Sequence, residues 1–268
     1  MGSSPVASTG LFSWGHHPVA GNAPITVEIG RLSMAVQVQE DEIWIAHDRS
    51  GSGEVPSTLP PEARQWNRWA TPGSLEGLEI LPAPPDRPLV LQPEKPFHLL
   101  PGARARIYVR IPLWVRLKVP GEKGALLQEI PSVVLSDTWW GSFTEGELCY
   151  WLPFTGRRSA PPEIFLPDRM LCPMELLNQA REELPVEKLL LRCEHLTVFQ
   201  GRECLWSDEV HVHHKGEEAG SVLAMSGMPP PEAPGAPMLA SPRTPAARSF
   251  TARTFARIKG FPGLGTAT

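Results

Sequence analysis

Every odd position from residue 105 to 119 is apolar: Ala105, Ile107, Val109, Ile111, Leu113, Val115, Leu117 and Val119. The even positions from 104 to 118 carry Arg104, Arg106, Tyr108, Arg110, Pro112, Trp114, Arg116 and Lys118. A strict period of two marks a β-strand with one buried and one wet face. Pro112 cannot donate to a ladder, so the run lies on an edge or bends there into two strands. The same alternation appears earlier, in Ile25, Val27 and Ile29, then Leu32, Met34, Val36 and Val38, then Ile43 and Ile45. Residues 126–135, 147–152, 169–177, 186–199 and 203–213 read as further strands, with a hairpin turn at Gln200-Gly201-Arg202. In 186–199 the apolar positions change from odd (Leu189, Leu191, Cys193) to even (Leu196, Val198), which predicts a bulge or bend near Glu194-His195.

Short strands separated by turn signals, with little helix, predict an all-β fold. The arrangement expected is an antiparallel β-sandwich, compatible with an immunoglobulin-like order. Two short helices are the exceptions. One spans 61–69 and starts with proline in its first turn; the other lies near 246–259. Residues 1–23 read as a flexible segment and 24–215 as the sandwich domain, within which 24–75 forms a small β subdomain. Residues 216–268 read as a Pro/Ala-rich basic tail. Because the tail lacks core-forming alternation, a chain ending near residue 219 is expected to stay folded.

Composition supports this division. The 31 prolines and 23 glycines exclude a helical bundle, since proline costs about 3 kcal/mol inside a helix. Hydrophobic residues at 41% and nine tryptophans are enough to build a core. The formal charge of −4 conceals an asymmetry: five bases and no acids lie beyond residue 232, so the rest of the chain carries −9. That excludes a generally basic nucleic-acid binder. Cys149, Cys172, Cys193 and Cys204 are far apart and read as buried free thiols. Residues 1–18 have no base before an apolar run, and no window reaches the 18 or so apolar residues of a membrane-spanning helix. The expected location is cytoplasmic.

The stretch Ser136-Asp137-Thr138-Trp139-Trp140-Gly141, followed by Glu145-Gly146-Glu147-Leu148-Cys149-Tyr150, resembles an uncharacterised prokaryotic family, Domain of Unknown Function 432. Residues 82–85, the Pro101-Gly102 turn leading into Ile107-Tyr108, and residues 191–199 with Leu205-Trp206 are similar to it as well. The likeness covers roughly residues 75–215. It transfers no catalytic residue. Some members are joined to small-conductance mechanosensitive-channel domains, so the resemblance implies an accessory role near membranes.

Four groups carry candidate chemistry. Arg104, Arg106, Tyr108, Arg110 and Trp114, with Arg116 and Lys118, place cations between aromatics on one sheet face, which suits an anionic ligand with flat parts. The plainer reading gives these cations acidic cross-strand partners. Asp137, Glu145 and Glu147 beside Trp139, Trp140 and Phe143 offer paired carboxylates and a flat platform, as glycoside cleavage needs. There the plainer reading is a capped turn with aromatic plugs. His211 and His213, at i and i+2, share a face and make a potential pair of metal ligands. The inward set of that strand reads as Trp206, Val210 and Val212, which leaves both histidines facing water. Finally Arg243, Arg248, Arg253, Arg257 and Lys259, mixed with Phe250, Phe255 and Ile258, suit an anionic membrane surface, a protein partner, or the acidic body of the chain itself.

No GxGxxG, P-loop, GxSxG or HExxH pattern is present, so no cofactor is expected. The function these features favour is a non-enzymatic binding or accessory module. It would associate with an anionic surface or a membrane-protein partner and have no specific nucleic-acid role. The alternative is a hydrolytic or metal-dependent enzyme centred on residues 137–147.

Overall fold

The computed structural model describes residues 13–19, 24–39, 41–49, 66–71, 73, 75–121, 124–216, 220–245, 250–252 and 254–256. In chain order, β1 (Gly15–Pro18) is followed by β2 (Ile25–Ile29), β3 (Leu32–Val38), β4 (Glu42–Asp48) and β5 (Asn67–Ala70). Next come β6 (Gly77–Ala83), β7 (Leu89–Pro93), β8 (Phe97–Leu99), β9 (Arg104–Pro112), β10 (Trp114–Lys118) and β11 (Leu126–Pro131). The hairpin of β12 (Ser136–Trp140) and β13 (Glu147–Phe154) leads to β14 (Arg169–Asn178), β15 (Leu184–Val186) and β16 (Lys188–Leu191). The last strands are β17 (Val198–Gln200), β18 (Leu205–Ser207), β19 (Val210–His214), β20 (Ser221–Met225), β21 (Met238–Ala240), β22 (Phe250–Ala252) and β23 (Phe255–Ala256). Two three-residue 3-10 turns, Pro162–Ile164 and Cys193–His195, are the only helical pieces among the described residues.

The fold is all-β, as the alternation predicts, with mainly antiparallel sheets stacked like a sandwich around one continuous core. β2 to β5 form a meander, and β1, β6, β10 and β11 form a second antiparallel sheet. β12, β13, β7, β16 and β23 form a third. The largest sheet centres on β14, and β8 with β15 makes a small ribbon. Among the described residues three strand pairs are parallel: β13 with β7, and β14 with β18 and with β19.

Pro112 breaks the long alternating run into two strands, the second of the outcomes its missing N–H allowed. β9 pairs with β14 in one sheet, whereas β10 pairs with β6 and β11 in another. Between them, Leu113 donates its N–H to Asp168 O at 2.9 Å. The odd side chains from Ala105 to Leu117 are buried, as expected. The even face is not uniformly wet. Tyr108 and Trp114 are buried, because other segments cover that face.

The parity change at Glu194-His195 is the 3-10 turn Cys193–His195 rather than a bulge. A true bulge lies elsewhere. β18 and β19 follow the same edge of β14, but Leu171 faces Trp206 while Met174 faces Val210, so one residue is inserted at Asp208-Glu209. This corrects the expected inward set: Val210 and Val212 join the main core, whereas Trp206 joins a separate cluster on the outer face.

Two helix expectations are also corrected. Within 61–69, the described residues Asn67 to Trp69 belong to β5, a short strand paired to β4. Within 246–259, residues 250–252 and 255–256 form β22 and β23, paired to β20 and β16. Trp66 and Thr254 are described without regular structure, and residues 61–65, 246–249, 253 and 257–259 lie outside those described. Residues 220–245 are part of the sheets rather than a separate tail: β20 pairs with β19, β21 pairs with β17, and Leu223 and Met225 are buried in the main core.

Candidate anion-binding site

The register of β9 against β14 sets the outer face. Arg104, Arg106, Tyr108 and Arg110 stand opposite Leu177, Glu175, Pro173 and Leu171, with Arg169 opposite Pro112 at the far end. In the middle, Tyr108, Leu171, Phe199, Cys204, Trp206 and Ile164 form a second buried cluster. Two loops roof it, one through Ala160 and Phe165 and one through Ala233 and Ala236. The Trp206 ring meets the Tyr108 ring edge-on at 6.4 Å, a favourable aromatic geometry.

On one side of this cluster the cations are neutralised. Arg104 donates to Glu175 at 3.2 Å, and Arg106 donates to Glu232 at 3.0 Å and to Glu209. Tyr108 donates its hydroxyl to Glu232 and accepts from Arg106 Nε at 3.1 Å. His211 lies between two carboxylates, Nδ1 at 3.5 Å from Glu175 and Nε2 at 3.9 Å from Glu209. Burial works against the charged Arg106, but Tyr108, Glu232 and Glu209 overcome it and raise the guanidinium pKa. Burial and the Glu232 contact raise the Tyr108 hydroxyl. Arg116 likewise donates to Glu129 at 2.8 Å. The plainer reading of the basic face therefore holds for Arg104, Arg106 and Arg116.

Arg110 differs. It lines a cleft with Tyr108, Arg157 and Arg169, whose remaining wall is Pro153, Phe154, Thr155 and Ile164. Among the described residues neither Arg110 nor Arg157 has an acidic partner. Arg157 is placed by a β-bridge, its carbonyl accepting the Tyr108 N–H at 2.9 Å. Arg169 Nε is buried and has no acceptor, since the nearest carboxylate, Asp168, is 4.0 Å away. Burial holds the Arg169 guanidinium below the usual arginine range; Asp168 opposes this, while Arg110 and Arg31 add to it.

Arg31 arrives through close packing. Gly30 turns the chain between β2 and β3 at φ +62°, and a Cβ there would stand 2.5 Å from the Asp168 side chain. Only glycine permits both the left-handed turn and this approach. The cleft encloses about 30 Å³. A single buried water needs about 10–15 Å³, so the space suits one compact polar group and not a whole sugar or nucleotide.

The other sequence candidates are dispersed. Asp137 and Glu147 lie in strands, not in a loop, and cross-strand pairing puts Asp137 on the face of Tyr150 and Glu147 on the face of Trp140. These faces are opposite. Asp137 accepts from Arg87 at 3.1 Å, and Glu147 accepts both terminal nitrogens of Arg192. Glu145 stands in the connecting turn, where its N–H bonds Ser142 Oγ at 3.0 Å. Trp140 is buried with Val90, Cys149 and Leu190, whereas Trp139 is 51% and Phe143 96% exposed. Trp114 is buried beside the Tyr150 ring, away from the cleft. His211 and His213 share a face, but no group of three or more His, Cys, Asp or Glu side chains forms a metal-ligand set among the described residues. All four cysteines are free and buried. Of the tail cations, Arg243 turns inward, bonding Pro84 O at 2.7 Å and Glu129; Arg248, Arg253, Arg257 and Lys259 lie outside the described residues.

Sequence reasoning missed Arg157 and Arg169. Neither belongs to a run of basic residues on the strand where Arg110 sits, and only pairing brings them together.

Among the described residues no helix is long and apolar enough to cross a membrane. No curated protein and no solved structure matches the chain. The family described as Protein of unknown function (DUF432) matches residues 13–259, nearly the full length, and the chain belongs to that family.

Proposed function

We propose that the protein is a non-enzymatic binding module that holds an anionic group in the cleft of Arg110, Arg157 and Arg169. The supporting observation is the unbalanced charge there. Three guanidinium groups line one small space, with a single carboxylate 4.0 Å from the nearest of them. Like charges gathered in a partly buried site destabilise the empty protein, and an anion relieves that cost. Arginine suits the task because its planar fork donates two parallel hydrogen bonds to an oxyanion and keeps its charge at any physiological pH. The Asp137 and Glu147 carboxylates are engaged by Arg87 and Arg192 on opposite faces of the hairpin, with Glu145 in the turn between, which favours the binding module over the enzyme alternative.

Thermal unfolding with inorganic phosphate, sulfate or acetate, against sodium chloride at matched ionic strength, tests the reading. Binding to the native state raises the midpoint with ligand concentration, by about 2.7 kcal/mol of stability at a hundredfold excess over Kd. Arg157→Gln should raise the midpoint of the ligand-free protein slightly and abolish the anion-dependent rise. Failure of every anion to shift the midpoint beyond the chloride control would overturn the proposal.

A further inference from the structure

Accepting the cleft as an anion site, we infer that its ligand is the dianionic phosphate of a monoester, with the ester group leaving over Pro153 and Phe154.

Three features of the cleft lead there. The first is charge. Three arginines and Asp168 leave two positive charges uncompensated, and Arg31 adds to the same field. A carboxylate or a phosphodiester brings one negative charge, while a monoester near neutral pH brings almost two. The second is donor geometry. Each guanidinium presents five N–H groups in one plane. Arg110 projects from β9, Arg169 from the start of β14, and Arg157 from the segment after β13, so the three forks come from three separate elements. A planar carboxylate offers two oxygens in one plane, enough for one fork and part of another. A monoester phosphate offers three terminal oxygens in a tetrahedral spread. Arg169, whose buried Nε–H has no acceptor within the protein, is not spent on an internal pair and keeps its fork for the ligand.

The third is size and wall chemistry. About 30 Å³ admits one phosphoryl group and leaves the rest of the ligand outside. On one flank the wall is apolar: Pro153, Phe154 and Ile164. An ester carbon can lie on these side chains without stranding a polar group. A diester would have to place a second carbon substituent among the guanidinium groups, where it would block a donor. The nearby carboxylates do not compete for the cleft, since Glu175, Glu209 and Glu232 are already engaged by Arg104, Arg106, Tyr108 and His211.

Calorimetric titration of the full chain at pH 8 and fixed ionic strength, with phenyl phosphate, methyl phenyl phosphate and benzoate, separates the possibilities. Phenyl phosphate should bind at least tenfold more tightly than the other two. Arg169→Lys, which keeps the charge and loses the fork, should weaken phenyl phosphate about tenfold. Arg157→Gln serves as a second variant that disturbs no internal pair. Equal binding of benzoate or the diester, lost in Arg157→Gln, overturns the monoester assignment and leaves the anion cleft standing. No binding by any of the three overturns both. A free metabolite and a lipid headgroup both present such a monoester, and flotation with phosphatidic acid vesicles distinguishes them. Retention that phenyl phosphate competes away indicates the headgroup; soluble binding without retention indicates a free monoester.

Discussion

Ending the chain after residue 219 should unfold much of it, although the C-terminal stretch has the composition of a dispensable tail. The loss can be worked from contacts. β20 lies along the full length of β19, and it buries Leu223 at 1% and Met225 at 8% exposure. Returning two such side chains to water costs about 1.5–3 kcal/mol each. Removing Arg243 also leaves Glu129 with Arg116 alone, in a half-buried site where a hydrogen bond to a charged group contributes about 1.5–3 kcal/mol. The combined deficit, about 5–9 kcal/mol, is comparable with the whole stability of a domain, about 5–15 kcal/mol. At about 2–4 °C per kcal/mol, the melting midpoint should fall by at least about 10 °C. A chain ended after residue 245 keeps β20, β21 and Arg243 and should lose much less. Far-ultraviolet circular dichroism melts of the full chain and both shortened chains make the comparison. A midpoint within about 3 °C of the full chain for the 219 ending would refute the argument, because it would mean that β20 adds nothing to the core.

Two further outcomes follow from buried titratable groups. Asp208, at the bulge, accepts the N–H of Thr197 at 2.9 Å and of Gly227 at 3.2 Å, yet burial pushes its carboxyl up to about 6. A raised carboxyl favours the protonated native state, so its contribution is complete below the unfolded value near 3.8 and is lost as pH rises through 6. Relative to Asp208→Asn, the parent should lose about 2–3 kcal/mol between pH 4 and pH 7; parallel stability profiles for the two proteins would contradict this. The four thiols are likewise shielded, with burial pushing Cys149, Cys172 and Cys204 up to about 12 and Cys193 well up. At pH 8 only about one in ten thousand of a thiol with pKa 12 is the reactive thiolate. Iodoacetamide should therefore label the native chain far more slowly than the chain in denaturant, and rapid native labelling would argue against the packing described.

Local alternation was enough to read the strands, because side-chain parity depends only on neighbouring residues. The buried odd positions from Ala105 to Leu117, the break at Pro112 and the β17–β18 hairpin all belong to this class. Pairing partners distant in sequence were not readable. Nothing near β14 indicates that two later strands run parallel to it, or that an insertion at Asp208-Glu209 turns Trp206 outward. The site divides in the same way. Arg104, Arg106, Tyr108 and Arg110 looked equivalent along one strand face. What separates Arg110 from Arg106 is the position of Glu209 and Glu232, both more than a hundred residues later. Trp114, Trp139 and Trp140 have the chemistry of ligand contacts, but their pairing puts them elsewhere.

The C-terminal strands are distributed rather than grouped: β20 and β22 extend one side of the largest sheet, β21 caps its other side, and β23 closes the edge at β16. During synthesis these strands emerge after the ones they pair with, so β16, β17 and β19 wait unpaired on those sides until the later strands arrive. Open strand edges are templates for pairing with other chains. The parallel match of β7 with β13 adds a long loop that must close before it is rewarded. Folding of the sheets is therefore completed only once β20 to β23 have emerged, and the interval before that is when chaperones matter most to its yield.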